Sequence, residues 1–214
     1  MPSAISNTNL SRHDLIAISS WIEPNSKVMD LGCGDGRLLQ HLQETKNVSG
    51  YGVELNVENV TKCIKNGVNV IQINLDKGLD HFDSDSFDTV VLSLTLQAMR
   101  DPKTLLQEMM RVGKQGIVTF PNFAYWRNRT QIALGGNMPV SKELPHKWYD
   151  TPNIHLCTIQ DFEQLCDELK LTIESFVAVN RNGRNGLGLK LMPNLFGEIA
   201  LFRFSKSANR ETSA

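Results

Sequence analysis

The chain of 214 residues is 41% hydrophobic and 21% charged, a balance typical of an ordinary globular protein. Its formal net charge of −1 gives no overall basic field to attract nucleic acid, and no apolar run approaches the roughly 18 residues of a membrane-spanning helix. The N-terminus lacks the apolar segment of a secretory signal. We therefore expect a cytoplasmic protein with a sizeable core that binds neither nucleic acid nor a membrane.

The first predicted element is a helix that follows a polar lead-in. Residues 1–10 show no apolar periodicity, and we expect them to be flexible. Ser11 can cap a helix in which Leu15, Ile18 and Trp21 recur at helical spacing. The pattern predicts an amphipathic helix that packs one face on the core.

Three alternating glycines, Gly32, Gly34 and Gly36, follow a short apolar strand and precede a helical pattern that begins at Arg37. Glycine permits the positive φ of a tight strand-to-helix turn, and its missing Cβ lets a ligand approach the backbone. The unpaired N–H groups at the helix start favour a polar or anionic ligand group. A dinucleotide fingerprint would place Gly or Ala at position 37, and the G-K-[ST] ending of a phosphate-binding loop is absent. The turn therefore predicts another nucleotide-type pocket, and Asp30 in front of it suits a ligand with an ammonium group.

A second predicted strand, residues 50–54, ends on the carboxylate of Glu54. One strand–helix–strand unit separates Glu54 from Asp30, which places this carboxylate beside the glycine turn, with Leu55 next to it. A carboxylate in this position can accept both hydroxyls of a ribose, as it does in dinucleotide-binding folds. The alternative is a solvated acid at the end of a strand. The agreement of strand, turn, helix and acid favours the ribose role.

Residues 68–73 form a third predicted strand, which delivers Asn74, Leu75 and Asp76 to the same edge of the sheet. Either Asn74 or Asp76 can hydrogen-bond the amino group of an adenine, with Leu75 against the ring. A shift of one residue in the end of the strand would exchange the two, and either side chain can instead cap a turn. The two assignments therefore stay open.

Two more strand–helix units complete the regular part of the pattern. Residues 87–92 form a fourth strand, and residues 93–97, beginning with Ser93, leave it toward the pocket. Asp101 and the proline after it predict a helix start, because Asp caps the helix and Pro suits its first turn. Residues 116–120 form a fifth strand. The alternation predicts a doubly wound, mostly parallel α/β sheet, with ligands at the carboxyl ends of the strands.

Residues 121–153 break this rhythm, and we call them the insertion. They combine aromatic and basic side chains, namely Phe123, Tyr125, Trp126, Trp148 and Tyr149 with Arg127, Arg129, Lys142, His146 and Lys147. A connection of this length is usually functional, often a lid, and aromatic and arginine side chains are enriched at protein interfaces. The alternative is a helical excursion that packs its aromatics on the edge of the sheet. Nucleic-acid binding is disfavoured because the cations are few and interspersed with acids.

The remaining chain predicts one helix and two strands. Thr158 and Asp161 resemble a capping box ahead of an amphipathic helix. Strands are predicted at 171–179 and 198–204, joined by a loop at 180–188 that is rich in Asn and Gly.

Four cysteines, Cys33, Cys63, Cys157 and Cys166, form no C-x-x-C pair and show no zinc-ligand spacing. They fit the reduced thiols of a cytoplasmic protein, packed as small hydrophobic side chains. Cys33 differs from the others because it lies inside the glycine turn and borders the predicted pocket. No metal site is predicted.

These residues together resemble class I S-adenosylmethionine-dependent methyltransferases, on the strength of the turn from Asp30 to Gly36, the acid at Glu54, the Asn74/Asp76 pair and the strand opening Ser86–Asp88. More narrowly, the chain resembles the MetW family of bacterial methionine biosynthesis proteins. The segments that carry this resemblance are Val28–Gly36, Gly67–Gln72, Thr95–Ala98, Phe120–Phe123 and Trp148–Thr158. The last two are the more specific, since the first is common to many methyltransferases.

The resemblance implies a class I methyltransferase-like Rossmann fold with seven strands, the seventh antiparallel, and S-adenosylmethionine or S-adenosylhomocysteine as ligand. The residues implied to bind it are Asp30, Gly32, Cys33, Gly34, Glu54, Leu55, Asn74, Leu75, Asp76 and Ser93. Asn74 stands where an Asp is usual in the family. We expect one methyltransferase-like domain over residues 11–205, with flexible tails at 1–10 and 206–214.

The family is associated with homoserine O-acyltransferase in methionine synthesis, so the resemblance implies a MetX-type acyltransferase as partner. The leading hypothesis is a protein that uses an adenosylmethionine fold to stabilise or regulate this enzyme. The alternative is an S-adenosylmethionine-dependent methyltransferase that acts on an unidentified small molecule, with the insertion as its lid. No catalytic residue is assigned; candidates for a base on the acceptor side are His146, His155 and Tyr149.

Overall fold

The computed structural model describes residues 13–141, 143–180 and 187–207. Seven strands are β1 (Lys27–Leu31), β2 (Ser49–Glu54), β3 (Val70–Gln72), β4 (Phe87–Ser93), β5 (Gly113–Pro121), β6 (Leu171–Val179) and β7 (Ile199–Lys206). The helices are α1 (His13–Trp21), α2 (Arg37–Lys46), α3 (Val57–Lys65), α4 (Pro102–Val112), α5 (Trp126–Gly135), α6 (Ile159–Glu168), α7 (Leu187–Leu191) and α8 (Pro193–Phe196). Short 3₁₀ turns span Leu75–Lys77 and Leu96–Ala98. Within these ranges, no helix has the length and apolarity to cross a membrane.

The strands form one mixed sheet in the order β3-β2-β1-β4-β5-β7-β6. The first five strands are parallel to their neighbours, and β7 lies antiparallel between β5 and β6. This topology confirms the predicted doubly wound α/β sheet with an antiparallel seventh strand. The carboxyl ends of β1, β2, β4, β5 and β6 therefore meet at one edge, where the candidate residues lie.

Helices cover both faces of the sheet and divide the core into two layers. One layer packs α1, α2 and α3 on residues such as Val28, Val91 and Leu201. The other packs α4 and α6 on the opposite face, around Phe120, Phe162 and Phe202. Side chains alternate between the faces of a strand, which is why neighbours such as Leu201 and Phe202 serve different layers.

The predicted helix starts are confirmed by their hydrogen bonds. The Asp101 carboxylate accepts a bond from the Thr104 N–H, and Pro102 occupies the first turn of α4. Thr158 and Asp161 form a reciprocal capping box at the start of α6. Such caps satisfy N–H groups that have no partner within the helix.

Three regions differ from the sequence predictions. Leu187 and Gly188, expected in a loop, begin α7, because Leu189 inserts into the core and orders this segment. Strand β7 includes Lys206, expected in the tail, because the pairing of β7 with β6 extends to Leu171. The insertion is helical in part, since α5 occupies Trp126–Gly135 within it. The predicted Ser11 cap, the N-terminal lead-in, the middle of the Asn- and Gly-rich loop and residues 208–214 lie outside the described residues.

Candidate functional site

The glycine turn links β1 to α2 with backbone that only glycine adopts easily. Gly32, Gly34 and Gly36 have φ values of 70°, 57° and 79°, in the left-handed region. A Cβ on Gly32 would lie 2.6 Å from Thr95 Oγ1, so the turn after β4 packs directly on this glycine. A Cβ on Gly34 would meet nothing within 4 Å. The turn is thus closed on the Thr95 side and open above Gly34, which leaves backbone accessible to a ligand.

Glu54 faces this turn and is held there by backbone groups. Its Oε2 accepts a hydrogen bond of 2.9 Å from the Gly34 N–H, and its Oε1 accepts bonds from the N–H groups of Leu55 and Asn56. A carboxylate offers about four acceptor sites, so these three bonds orient it and leave capacity for a hydroxyl. The carbonyl of Val53 accepts bonds from Gly32 and Cys33 and fixes the turn from the same side.

Asp30 and Cys33 lie on the inner side of the turn. Asp30 is only 3% exposed, in the middle of the sheet between β2 and β4. The Sγ of Cys33 lies 3.7 Å from the Sγ of Cys63, which contacts the Gly34 carbonyl at 3.1 Å. Burial, with a smaller contribution from the Asp30 charge, raises the pKa of Cys33. The thiol therefore stays neutral. It packs under the turn directly against Gly52, where a Cβ would collide with it.

The segment after β3 places Asn74, Leu75 and Asp76 in different surroundings. Asn74 caps the short 3₁₀ turn through a bond of 3.0 Å from the Asp76 N–H to its Oδ1. Leu75 is buried. Asp76 turns toward the segment after β4, where its Oδ1 accepts a bond of 3.0 Å from the Arg100 N–H. Both polar side chains are thus engaged, Asn74 in capping the 3₁₀ turn and Asp76 in a bond across the sheet edge.

Strand β4 ends in a constrained turn. Ser93 Oγ lies 3.2 Å from Thr119 Oγ1 on β5. The next residue, Leu94, has a φ of 53°, a left-handed conformation that costs a non-glycine residue about 1–2 kcal/mol. Its N–H donates to both oxygens of Thr119 and holds this conformation. Neither Leu94 nor Thr119 was indicated by the sequence pattern, because positive φ at leucine has no sequence signal.

A cavity of about 710 Å³ opens at the same edge of the sheet, beyond β5, β7 and β6. Its lining includes Asn122, Tyr125, Trp126, Leu144, Phe196 and Glu198. The Tyr125 hydroxyl is hydrogen-bonded to the Glu198 carboxylate; burial first, and this bond second, raise the pKa of Tyr125. Since β5 is two strands from β1, the cavity begins about 10 Å from the glycine turn.

Asn122 anchors the insertion to the last part of the chain. Its Nδ2 donates to the carbonyls of Asn194 and Gly197 at 2.9 and 3.0 Å, and its Oδ1 accepts a bond from the Ala124 N–H. The insertion therefore leaves β5 in a fixed direction. The candidate bases for an acceptor lie in or beside the insertion. They are exposed and do not line the cavity; they are His146, Tyr149 and His155.

The insertion and the two short helices that face it expose many apolar side chains. Leu134 is 87% exposed and Trp148 is 74% exposed. We use the name insertion surface for the exposed apolar side chains of this region, which are Trp126, Ile132, Leu134, Met138, Val140, Trp148, Tyr149, Ile154, Leu156, Leu187, Leu191, Met192 and Phe196. Large exposed apolar patches on folded proteins mark interaction sites.

Comparison with known proteins gives the fold and the family. A sequence profile of the family described as "Methionine biosynthesis protein MetW" matches residues 12–204. A curated relative, the bifunctional methionine biosynthesis protein MetXA/MetW of Rhodopirellula baltica, is 34% identical over 199 residues, which are 89% of this chain and 32% of the relative. This chain therefore spans about a third of that relative's length.

Several solved structures with the same fold are described as methyltransferases. One S-adenosylmethionine-dependent methyltransferase, from Archaeoglobus fulgidus, has a TM-score of 0.66 at 16% identity, over 94% of this chain and 95% of that one. Another, from Mesorhizobium loti, has a TM-score of 0.64 at 17% identity, over 90% and 96%. At such identities the likeness shows the fold alone, while the profile and the relative show the family. The chain belongs to the MetW family of methionine biosynthesis proteins.

Proposed function

We propose that this protein binds S-adenosylmethionine or S-adenosylhomocysteine and, in the cytoplasm, associates with and supports a MetX-type homoserine O-acyltransferase. The observation that carries this proposal is the relative named for both MetXA and MetW, of which about two thirds lies outside the match. Fusion holds two modules at a high effective concentration, which benefits modules that must meet. In this account, the adenosyl ligand reports the state of the pathway and the acyltransferase receives the signal.

The glycine turn supports the adenosyl part of the proposal. Glu54 would accept the ribose hydroxyls, since its carboxylate is oriented toward Gly34 and retains acceptor capacity. Asp30 would hold the ammonium group of the methionyl end. Either Asn74 or Asp76 would contact adenine, since each side chain accepts one backbone hydrogen bond and retains acceptor capacity. The other residues proposed to line the ligand are Gly32, Cys33, Gly34, Leu55, Leu75 and Ser93.

The insertion surface supports the partner part. Aromatic side chains, together with arginine, dominate the energetic centres of protein interfaces, and Trp148 and Tyr149 form an exposed edge-to-face pair with Lys147 over the tyrosine ring. The Asn122 anchor holds the insertion on the β5 and β7 side of the sheet edge, two strands away from the glycine turn.

Co-purification tests this function directly. Tagged protein should retain the acyltransferase from the native cell extract. Trp148→Ala should release it, because this substitution removes the largest apolar side chain that the partner would bury. Ile64→Ala is the matched control, since Ile64 is 66% exposed but lies on α3, away from the insertion surface. The proposal is refuted if adding this protein leaves both the stability and the activity of the acyltransferase unchanged.

A second candidate function is methyl transfer to an unidentified small molecule, with the insertion as lid. It is favoured by the cavity of about 710 Å³, which has the size of a small-molecule site and carries the hydrogen-bonded Tyr125 and Glu198 on its wall. Methyl transfer from a sulfonium is a single displacement in which positioning does most of the work. Transfer of a labelled methyl group to a metabolite, lost in Asp30→Ala, would establish this function instead.

A further inference from the structure

Gln97 is buried, and its side chain has no partner in the part of the chain that the structure describes. It is 2% exposed, and neither Oε1 nor Nε2 has a hydrogen-bond partner among the described residues. A carboxamide carries one acceptor and two donors, and leaving them buried and unpaired costs free energy that most proteins avoid. A buried amide without partners therefore gains more free energy from a hydrogen bond to a polar ligand than an amide that is already hydrogen-bonded.

The backbone of Gln97 is well placed, so the unpaired amide is not the result of a loose turn. Its carbonyl accepts hydrogen bonds from the N–H groups of Ile154 and His155 at 2.9 and 3.0 Å. The preceding side chain, Leu96, is buried in the core. A contact with a ligand would therefore require a rotation of the side chain and no movement of this backbone.

Gln97 lies on the β4 side of the glycine turn. Thr95, two residues earlier, is the residue that a Cβ on Gly32 would strike. Glu54 approaches the same turn from the β2 side, through Gly34. A ligand that places its ribose at Glu54 and extends across the turn therefore brings its other end toward the segment of Gln97.

We propose that the Gln97 carboxamide binds the α-amino-acid end of the adenosyl ligand, a contact that rests on the proposed function above. Nε2 donates to the ligand carboxylate, and Oε1 accepts from the ligand ammonium group. The carboxylate of the ligand is an acceptor and its ammonium group is a donor, and the two lie close together. They therefore complement the unbonded Nε2 donor and Oε1 acceptor of the carboxamide. Adenine also offers such a pair, but the contacts proposed for the segment after β3 would place the base at the far side of the turn.

Two ligands that differ only at this end test the contact. S-adenosylhomocysteine carries the amino-acid group, and 5′-methylthioadenosine lacks it. In calorimetric titrations, Gln97→Met should weaken S-adenosylhomocysteine at least tenfold and leave 5′-methylthioadenosine within twofold of wild type. Unchanged affinity for S-adenosylhomocysteine, or equal weakening of both ligands, would overturn the assignment.

The ligand-free protein supplies a second readout. Gln97→Met removes an unpaired buried amide at similar volume. The unfolding temperature of the variant should therefore equal or exceed that of wild type. A clear decrease would show that the amide is already hydrogen-bonded and would contradict the assignment. Ser86→Ala is the control. Ser86 Oγ is also buried and has no partner among the described residues, but it precedes β4, at the opposite edge of the sheet. It should leave both affinities unchanged. Wild-type protein that binds neither ligand would refute the proposed function itself, whereas normal binding of S-adenosylhomocysteine by Gln97→Met refutes only this contact.

Discussion

The two halves of the carboxyl edge of the sheet are built in opposite ways. Around the glycine turn, backbone groups make the contacts: Gly34 donates to Glu54, and Gly32 donates to the Val53 carbonyl. Across β5, β7 and β6, side chains contribute more of them, and Asn122 and Tyr125 both tie the insertion to the segment before β7. The first half has the rigidity that a small ligand requires. The second exposes apolar surface, which suits a large partner.

The largest expected effect is the difference in stability loss between two glycine substitutions, one in each half. Gly32→Ala combines left-handed strain of about 1–2 kcal/mol with a clash against Thr95 that adds about 1–3 kcal/mol. Gly136→Ala has the same type of strain at a φ of 64° but no neighbour within 4 Å. Urea unfolding should therefore show a clearly greater loss for Gly32→Ala, and equal losses would contradict the close packing of the glycine turn.

Removing the anchor tests the other half. Asn122→Ala leaves the carbonyls of Asn194 and Gly197 without their donor and should cost about 1–3 kcal/mol in free energy of unfolding. Limited proteolysis should cut the insertion faster, while binding of S-adenosylhomocysteine stays normal. In the control, Asn66→Ala, a bond to the Asp35 carbonyl near the glycine turn is lost instead, so the insertion should keep its protection. Loss of ligand binding in Asn122→Ala would show that the halves are coupled.

Alkaline pH should lower the free energy of unfolding through the core that packs on β5, β7 and β6, the second half. Burial raises the pKa of Cys166 on α6 from 9.0 to about 12. The native state keeps this proton and the unfolded chain loses it near 9, so the associated stability is complete below pH 9 and is lost as pH rises toward 12. The free energy of unfolding should fall less steeply above pH 9 in Cys166→Ala, by at most about 1.4 kcal/mol per pH unit. Parallel slopes for wild type and variant would contradict this.

The smallest expected effect on stability comes from the insertion surface. Trp148→Ala should change the free energy of unfolding by less than about 0.5 kcal/mol, because an indole that is 74% exposed contributes little to the core. By contrast, Phe162→Ala removes a fully buried ring and should cost about 3–5 kcal/mol. Measured by thermal unfolding, a large loss for Trp148→Ala would mean that the surface belongs to the fold rather than to a partner.

The glycine half is also the half that the sequence predicted best. Alternating glycines, a strand that ends on Glu54 and the Asp101 cap are local signals, each contained in a few residues. Their hydrogen bonds in the structure follow from those patterns. The proximity of Glu54 to the turn required only one strand–helix–strand unit.

The insertion half depends on distant contacts, which leave no local pattern. Asn122 bonds with residues more than seventy positions away, and α7 forms because Leu189 reaches a core made by other segments. The left-handed Leu94 and the unpaired amide of Gln97 are likewise invisible in the sequence. The sequence predicted that residues 93–97 lead from β4 toward the pocket, and the family resemblance marked Thr95–Ala98, but neither indicated the environment of the Gln97 amide.

The central claim is that the glycine turn and Glu54 receive an adenosyl ligand, and thermal unfolding with S-adenosylhomocysteine tests it most directly. A ligand at one hundred times its Kd stabilises the native state by about 2.7 kcal/mol, so the unfolding temperature of wild type should rise. Glu54→Ala should reduce that rise, whereas Glu58→Ala, which alters an exposed acid on α3, should preserve it. No shift at millimolar ligand, or an equal shift in Glu54→Ala, would contradict the claim.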